Sequence, residues 1–325
     1  MSVWLDLGQT CHGLRGCDAS RSSSSDTRSC ASCLSAFRRK SFRFPLSSAV
    51  LLLLPLGREV FRMTAAYEST VIALCAAHKK ENRHHGDYRA CIYTDSHFVK
   101  YGPRKQLEPE LKTHSYIANY ALTSPDAPRI AGISAFVDGN TMYLVIERIK
   151  LVAPPPSDLP GRICEAVIWL LQVPAPQGHS LGPLGGGRIP HKFFKDFKAP
   201  LEFPDTVKLS AYIQKAYDVS CVQKTRNLPR PDISKDRLMC VQSDMDDSNF
   251  GVDDAGRTVL MDFGTIAWLP ESFAAFTLSN EKYKPVCDSL CLADNPNTQT
   301  MCWISWFLHM TGDPTLGMGR IGTGS

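Results

Sequence analysis

The feature that most constrains this chain is an acidic constellation in its last third. Asp244 and Asn249 lie five residues apart, a short hairpin pattern follows, and Asp262-Phe263-Gly264 closes it. Leu238 to Val241 is an apolar run of strand length. Asp253-Asp254-Ala255-Gly256 has turn chemistry, and Thr258 to Met261 reads as a second strand. Folded this way, the segment sets an amide and a carboxylate on facing loop ends.

Oxygen ligands of that kind suit a hard cation such as Mg²⁺, which takes few protein ligands and completes its shell with phosphate and water. Phosphoryl transfer asks for a cation on the nucleotide phosphates, oxygens on the metal and a carboxylate near the incoming hydroxyl. Asp-Phe-Gly alone occurs by chance, and an acidic stretch is ordinarily a solvated turn. The order is more specific, because Lys100 on a strand and Glu110 on a helix precede the constellation as they do in kinases.

Local patterns place those two residues. Asp87 to Thr94 and His97 to Tyr101 read as strands joined at Asp95-Ser96, with Phe98 and Lys100 on one face and Val99 and Tyr101 on the other. A helix is expected from near Pro109 to about Leu122. Glu110, Thr113, Ile117 and Ala121 share its inner stripe, opposite the polar Glu108, Lys112, Ser115 and Asn119. A carboxylate on the inner stripe needs a partner. Glu68 to His78 is a further helix. Ile130 to Val137 and Thr141 to Ile149 form a hairpin about Asp138-Gly139-Asn140.

Pro154-Pro155-Pro156 marks the expected boundary between two lobes, 64–150 and 151–325. Beyond it, helices are expected over Arg162 to Val173, Val207 to Tyr217, Pro270 to Phe276 and Met301 to Met310. The stretch from Pro174 to Pro204, with Gly182 to Gly187 at its centre, lacks the strand, helix and Gly-Lys-Ser/Thr of a phosphate loop, and reads as a surface excursion.

Charge narrows the partners. Residues 1–62 hold nine Lys/Arg against four Asp/Glu, a local +5, so the whole-chain +4 leaves the body at −1 and without a nucleic-acid footprint. Residues 1–47 are Ser- and Arg-rich, and residues 1–63 read as a disordered or dispensable tail, with a mitochondrial transit peptide as the alternative to a cytoplasmic protein. The apolar run Ala49 to Leu56 is far short of the ~20 residues that a membrane span needs. Eight of the twelve cysteines lie in the body, several in apolar runs, as reduced buried residues do. Neither Cys30/Cys33 nor Cys287/Cys291 has the second ligand pair of a zinc site.

From about residue 67 onward the chain resembles the aminoglycoside phosphotransferase-like proteins common in fungal genomes, within the protein-kinase-like superfamily. The resemblance is carried by Phe98-Val99-Lys100-Tyr101-Gly102, Tyr143 to Ile149, Gly185-Gly186-Gly187-Arg188-Ile189-Pro190-His191, Ser243 to Phe250, Leu260 to Gly264 and Leu269 to Phe273. It implies an α+β, two-lobed fold with a small β-rich N-lobe and a larger, mostly helical C-lobe. It also implies a monomeric phosphotransferase that uses ATP and Mg²⁺ on a small-molecule hydroxyl substrate. Lys100 would hold the nucleotide phosphates, oriented by Glu110. Glu147 and Ile149 would offer backbone groups to adenine, Asp244 would be the catalytic base, and Asn249 and Asp262 would bind the metal. His191 is a substrate-side candidate on the same ground alone, a lone histidine being more often structural. The family usually has His where Gln242 stands, which leaves open a nucleotide-binding module without turnover. A protein substrate is disfavoured, because Leu269-Pro270-Glu271 follows Gly264 with no activation segment.

Overall fold

A four-stranded antiparallel sheet in the order β1-β2-β5-β4 carries Lys100 on its second strand: β1 Cys91–Tyr93, β2 His97–Pro103, β4 Ile133–Asp138 and β5 Thr141–Glu147. The computed structural model describes residues 63–320, a mixed α/β protein. The tail, its apolar run and Cys30/Cys33 lie outside the described residues.

Strand alternation does what the pattern requires. Val99 and Tyr101 turn into a small core with Tyr143, Val145 and, from helix α1 (Ala65–Asn82), Val71 and Cys75. The opposite face is left to Lys100. Helix α1 outruns the expected 68–78 because Thr64 caps it, its Oγ1 accepting from Tyr67 N at 3.3 Å.

Helix α2 spans Arg104–Ala121, five residues longer at its start than the proline suggested. Pro109 removes one backbone donor. The turn before it is laced by ion pairs from Glu108 to Arg104 (3.0 Å) and to Lys112 (2.9 Å). Its buried face is Glu110, Thr113, His114 and Ile117.

The expected strand 130–137 divides. Arg129–Ile130 (β3) pairs in parallel with β8 (Thr258–Leu260), which also pairs with β7 (Phe250–Val252), whereas β4 joins β5. The chain changes sheets at Ala131-Gly132, where Gly132 and Glu147 exchange bonds: Glu147 N donates to Gly132 O at 2.8 Å and Gly132 N donates to Glu147 Oε2 at 2.9 Å.

Strand β6 (Leu238–Gln242) pairs with β9 (Ile266–Pro270), the strand that leaves Asp-Phe-Gly. Helices α3 (Leu159–Leu171), α4 (Thr206–Ser220), α5 (Val222–Arg226), α6 (Glu271–Thr277), α7 (Lys284–Ser289) and α8 (Thr298–Met310) contribute to the larger core. Trp268, Phe193, Phe194, Phe273 and Tyr212 are fully buried there. Burying one such side chain stabilises by ~1.5–3 kcal/mol, so this core is what holds β6, β9 and their loops. Among the described residues every cysteine is a free thiol, and no helix is long and apolar enough to cross a membrane.

Candidate active site

Three charged side chains that are far apart in sequence meet at one point. Lys100 Nζ lies 2.8 Å from Glu110 Oε1 and 2.6 Å from Asp262 Oδ1, a residue 162 positions away. Burial lowers the Lys100 pKa, but the two carboxylates outweigh it and raise it, so the amine stays charged. Glu110 is only 8% exposed; burial raises its carboxyl pKa, against the opposing pull of Lys100. Gly264 makes this approach possible: a Cβ there would sit 3.1 Å from Glu110 Oε2 and 3.5 Å from Asp262 Oδ1.

Asp262 adopts φ 54°, ψ 78°, a left-handed conformation that costs a non-glycine residue of order 1 kcal/mol or more. Two bonds hold it there. Lys100 takes its carboxylate, and Gln242 Nε2 donates to its carbonyl at 3.0 Å. Gln242 in turn accepts from Thr265 Oγ1 at 2.8 Å, and Thr265 Oγ1 accepts from Asp244 N at 3.4 Å. Gln242 therefore ties the Asp244 loop to the Asp262 turn. The loop geometry is thus supported with glutamine where the resemblance implied a histidine.

Asn249 is buried just before β7, and its Nδ2 donates to Asp244 O at 3.0 Å. Met261 N donates to Asn249 O at 2.9 Å, so the hairpin sets Asn249 beside the Asp262 turn. With the amide so oriented, Asn249 Oδ1 makes no bond to another described residue, nor does Asp262 Oδ2. Two unengaged oxygens, one neutral and one anionic, fit a hard cation that draws its remaining ligands from phosphate and water. Among the described residues no group of three or more His, Cys, Asp or Glu converges on a metal-sized space. Asp244 Oδ1 accepts from Asp246 N at 3.2 Å, and the carboxyl is half-buried. Asp246 and Asp247 are exposed; Asp246 Oδ1 accepts from Ser248 N, and Asp247 pairs with Lys282.

Glu147 and Ile149 lie at the end of β5 and just beyond it. The Glu147 carboxylate pairs with Arg129, whose guanidinium also reaches Asp253 Oδ2 at 3.2 Å. Ile149 N and O make no bond to other described residues. His191 is a core residue. It is fully buried, donates from Nε2 to Thr277 Oγ1 at 2.9 Å, accepts from Phe193 N at Nδ1 and meets Phe273 edge-on. Burial holds its pKa well below 6.5.

Sequence reasoning missed Thr265 and His114. Thr265 directly follows Asp-Phe-Gly, and only the fold shows that it bonds both Gln242 and Asp244. His114 stacks on Phe263 at 4.1 Å and 16°. It stands one helical turn after Glu110, a spacing that could have flagged it.

Lys100 thus bridges a helix carboxylate and the Asp of Asp-Phe-Gly, beside the Asp244–Asn249 loop. No family model and no curated protein matches the chain. Solved structures give remote likenesses. A protein of Haemophilus somnus 129PT provisionally designated fructosamine-3-kinase aligns at TM-score 0.41 and 10% identity, over 75% of this chain and 93% of that one. Aminoglycoside phosphotransferase APH(4)-Ia aligns at TM-score 0.37 and 12% identity, over 72% and 89%. A thermostable mutant of it, in ternary complex with AMP-PNP and hygromycin B, aligns at 0.35 and 13%, over 65% and 77%. At such scores the likenesses carry no argument about this chain.

Proposed function

We propose that this chain is an ATP- and Mg²⁺-dependent phosphotransferase that acts on a hydroxyl of a small molecule, with residues 64–150 and 151–325 as its two lobes. The observation that carries the reading is the Lys100 bridge to both Glu110 and Asp262. Lys100 neutralises the nucleotide phosphates, and Glu110 holds it in place. Glu147 and Ile149 present backbone groups to adenine. Asn249 Oδ1 and Asp262 Oδ2 would hold the metal, which would supply neutralisation of the phosphate charge. Asp244 orients the acceptor hydroxyl and takes its proton as the γ-phosphoryl group is transferred.

The test is Mg·ATP binding by calorimetry, with ATP consumption over a panel of alcohols and a metabolite extract read for phosphate mass shifts. Binding is expected, with turnover lost in Asp244→Asn and affinity retained. Failure to bind or consume Mg·ATP overturns the reading. Binding without turnover on any acceptor, unaltered by Asp244→Asn, leaves a nucleotide-binding module instead.

A further inference from the structure

The glycine-rich stretch at 182–187 has no part in the chemistry above, yet it is tied at both ends to the elements that build the site. At one end, Gly182 exchanges two backbone bonds with Trp268 (2.9 and 3.0 Å), on the strand that continues directly from Asp-Phe-Gly. At the other, Leu184 N donates to Thr113 Oγ1 at 3.0 Å, and Thr113 is fully buried one turn after Glu110 on the same face of α2. Directly after Leu184, Gly185, at φ +91°, lies against the stem of Lys112; a Cβ there would meet Lys112 Cδ at 2.8 Å. Gly186 and Gly187 also have positive φ, so the path of the loop requires glycine.

From these contacts we infer that the 182–187 loop is a latch that fixes α2 relative to the Asp262 turn, with Thr113 as its positioning residue. Continuity runs from β9 through Gly182 and Leu184 to Thr113, and then along one turn of helix to Glu110 and Lys100. Helix α2 has no covalent link to β9 except through more than a hundred residues of chain. A cross-brace at this point therefore limits how far Glu110 can swing from Lys100. The consequence for activity rests on the phosphotransfer reading; the bracing itself does not.

The experiment is trace labelling of amines in the full chain, with the Lys100 rate read by mass spectrometry and normalised to the exposed Lys235. Thr113→Val removes the acceptor hydroxyl at nearly constant volume and is expected to raise Lys100 labelling about fivefold or more, the range that follows from one orphaned buried donor. Thr113→Ser should stay within about twofold of the parent. Lys192, bonded to Thr277 O in the larger core, should not respond, whereas general loosening would raise both lysines. Gly185→Ala, on an exposed loop that does not endanger folding, should act as Thr113→Val does. Gly178→Ala shares a positive φ (80°) outside the latch and should leave Lys100 unchanged.

If Thr113→Val, or Gly185→Ala should the valine variant not fold, labels Lys100 as the parent does, the latch is wrong. Parallel titration with Mg·AMP-PNP separates the two claims. A Lys100 response in a protein that binds no nucleotide upholds the latch and ends the phosphotransfer reading. Nucleotide binding with no Lys100 response ends the latch alone. If both hold, the loosened variants raise the KM for ATP more than they lower kcat, and serine restores both.

Discussion

His114 makes the folded protein acid-sensitive in a window that the geometry defines. Its Nε2–H donates to Ala131 O at 2.9 Å, its ring stacks on Phe263, and its Nδ1 is buried with no partner among the described residues. A second proton has nowhere to go, and burial lowers the pKa from 6.5 to about 4. In the unfolded chain the imidazole is protonated as the pH falls through 6.5; in the folded protein it stays neutral down to about 4. The unfolded state therefore binds more protons across this window, and stability falls as the pH falls. Over the whole interval the loss amounts to ~3 kcal/mol, at ~1.4 kcal/mol per pH unit. Glutamine tests this, because its amide nitrogen can take the place of Nε2 toward Ala131 O without titrating. Urea unfolding of the parent and of His114→Gln is measured from pH 7.5 to pH 4. Loss of ring stacking offsets the variant by ~1 kcal/mol at every pH. Relative to the variant, the parent should lose stability steadily below pH 6.5. Parallel curves would refute the account, whatever the offset.

Further outcomes follow from other contacts. Gly264→Ala should cost ~1–3 kcal/mol by overpacking against Glu110 and should raise Lys100 labelling; an unperturbed variant by both measures would contradict the packing described for Gly264. Gln242→Leu leaves Asp262 O without its donor and Thr265 without its acceptor, a loss of ~1–3 kcal/mol with reduced ATP turnover, and Gln242→His should retain most of both. Arg129→Met should destabilise by less than the ~3–5 kcal/mol of a fully broken buried pair, because Arg257 still holds the 1%-exposed Asp253. Replacing both arginines should reach that range, as urea midpoints would read.

Much of the secondary structure was legible because its signals are local. The stripe of Glu110, Thr113 and Ile117, the turn at Asp138-Gly139-Asn140 and the acidic hairpin all follow from residues a few positions apart. Boundaries slipped where a neighbour in space intervened. Ion pairs across Pro109 extend α2, and β8 draws Ile130 out of the strand to which its hydrophobicity assigned it. For His191 the sequence left two readings open, because a histidine after three glycines has the same sequence appearance whether it faces a ligand or Phe273.

Taken alone, the sequence determined which side chains this protein can bring to a site: one lysine on a strand, one glutamate on a helix face, and acids and an amide around a short hairpin. Only the tertiary structure decided that Lys100 touches Asp262 across 162 residues, that Gln242 ties the two loops, and that the glycine stretch clasps α2. Spacing within a helix or strand is set by covalent geometry and is visible in the order of residues. Meeting at a distance is set by the collective packing of the core, which determines where each loop ends, and no local pattern encodes that sum.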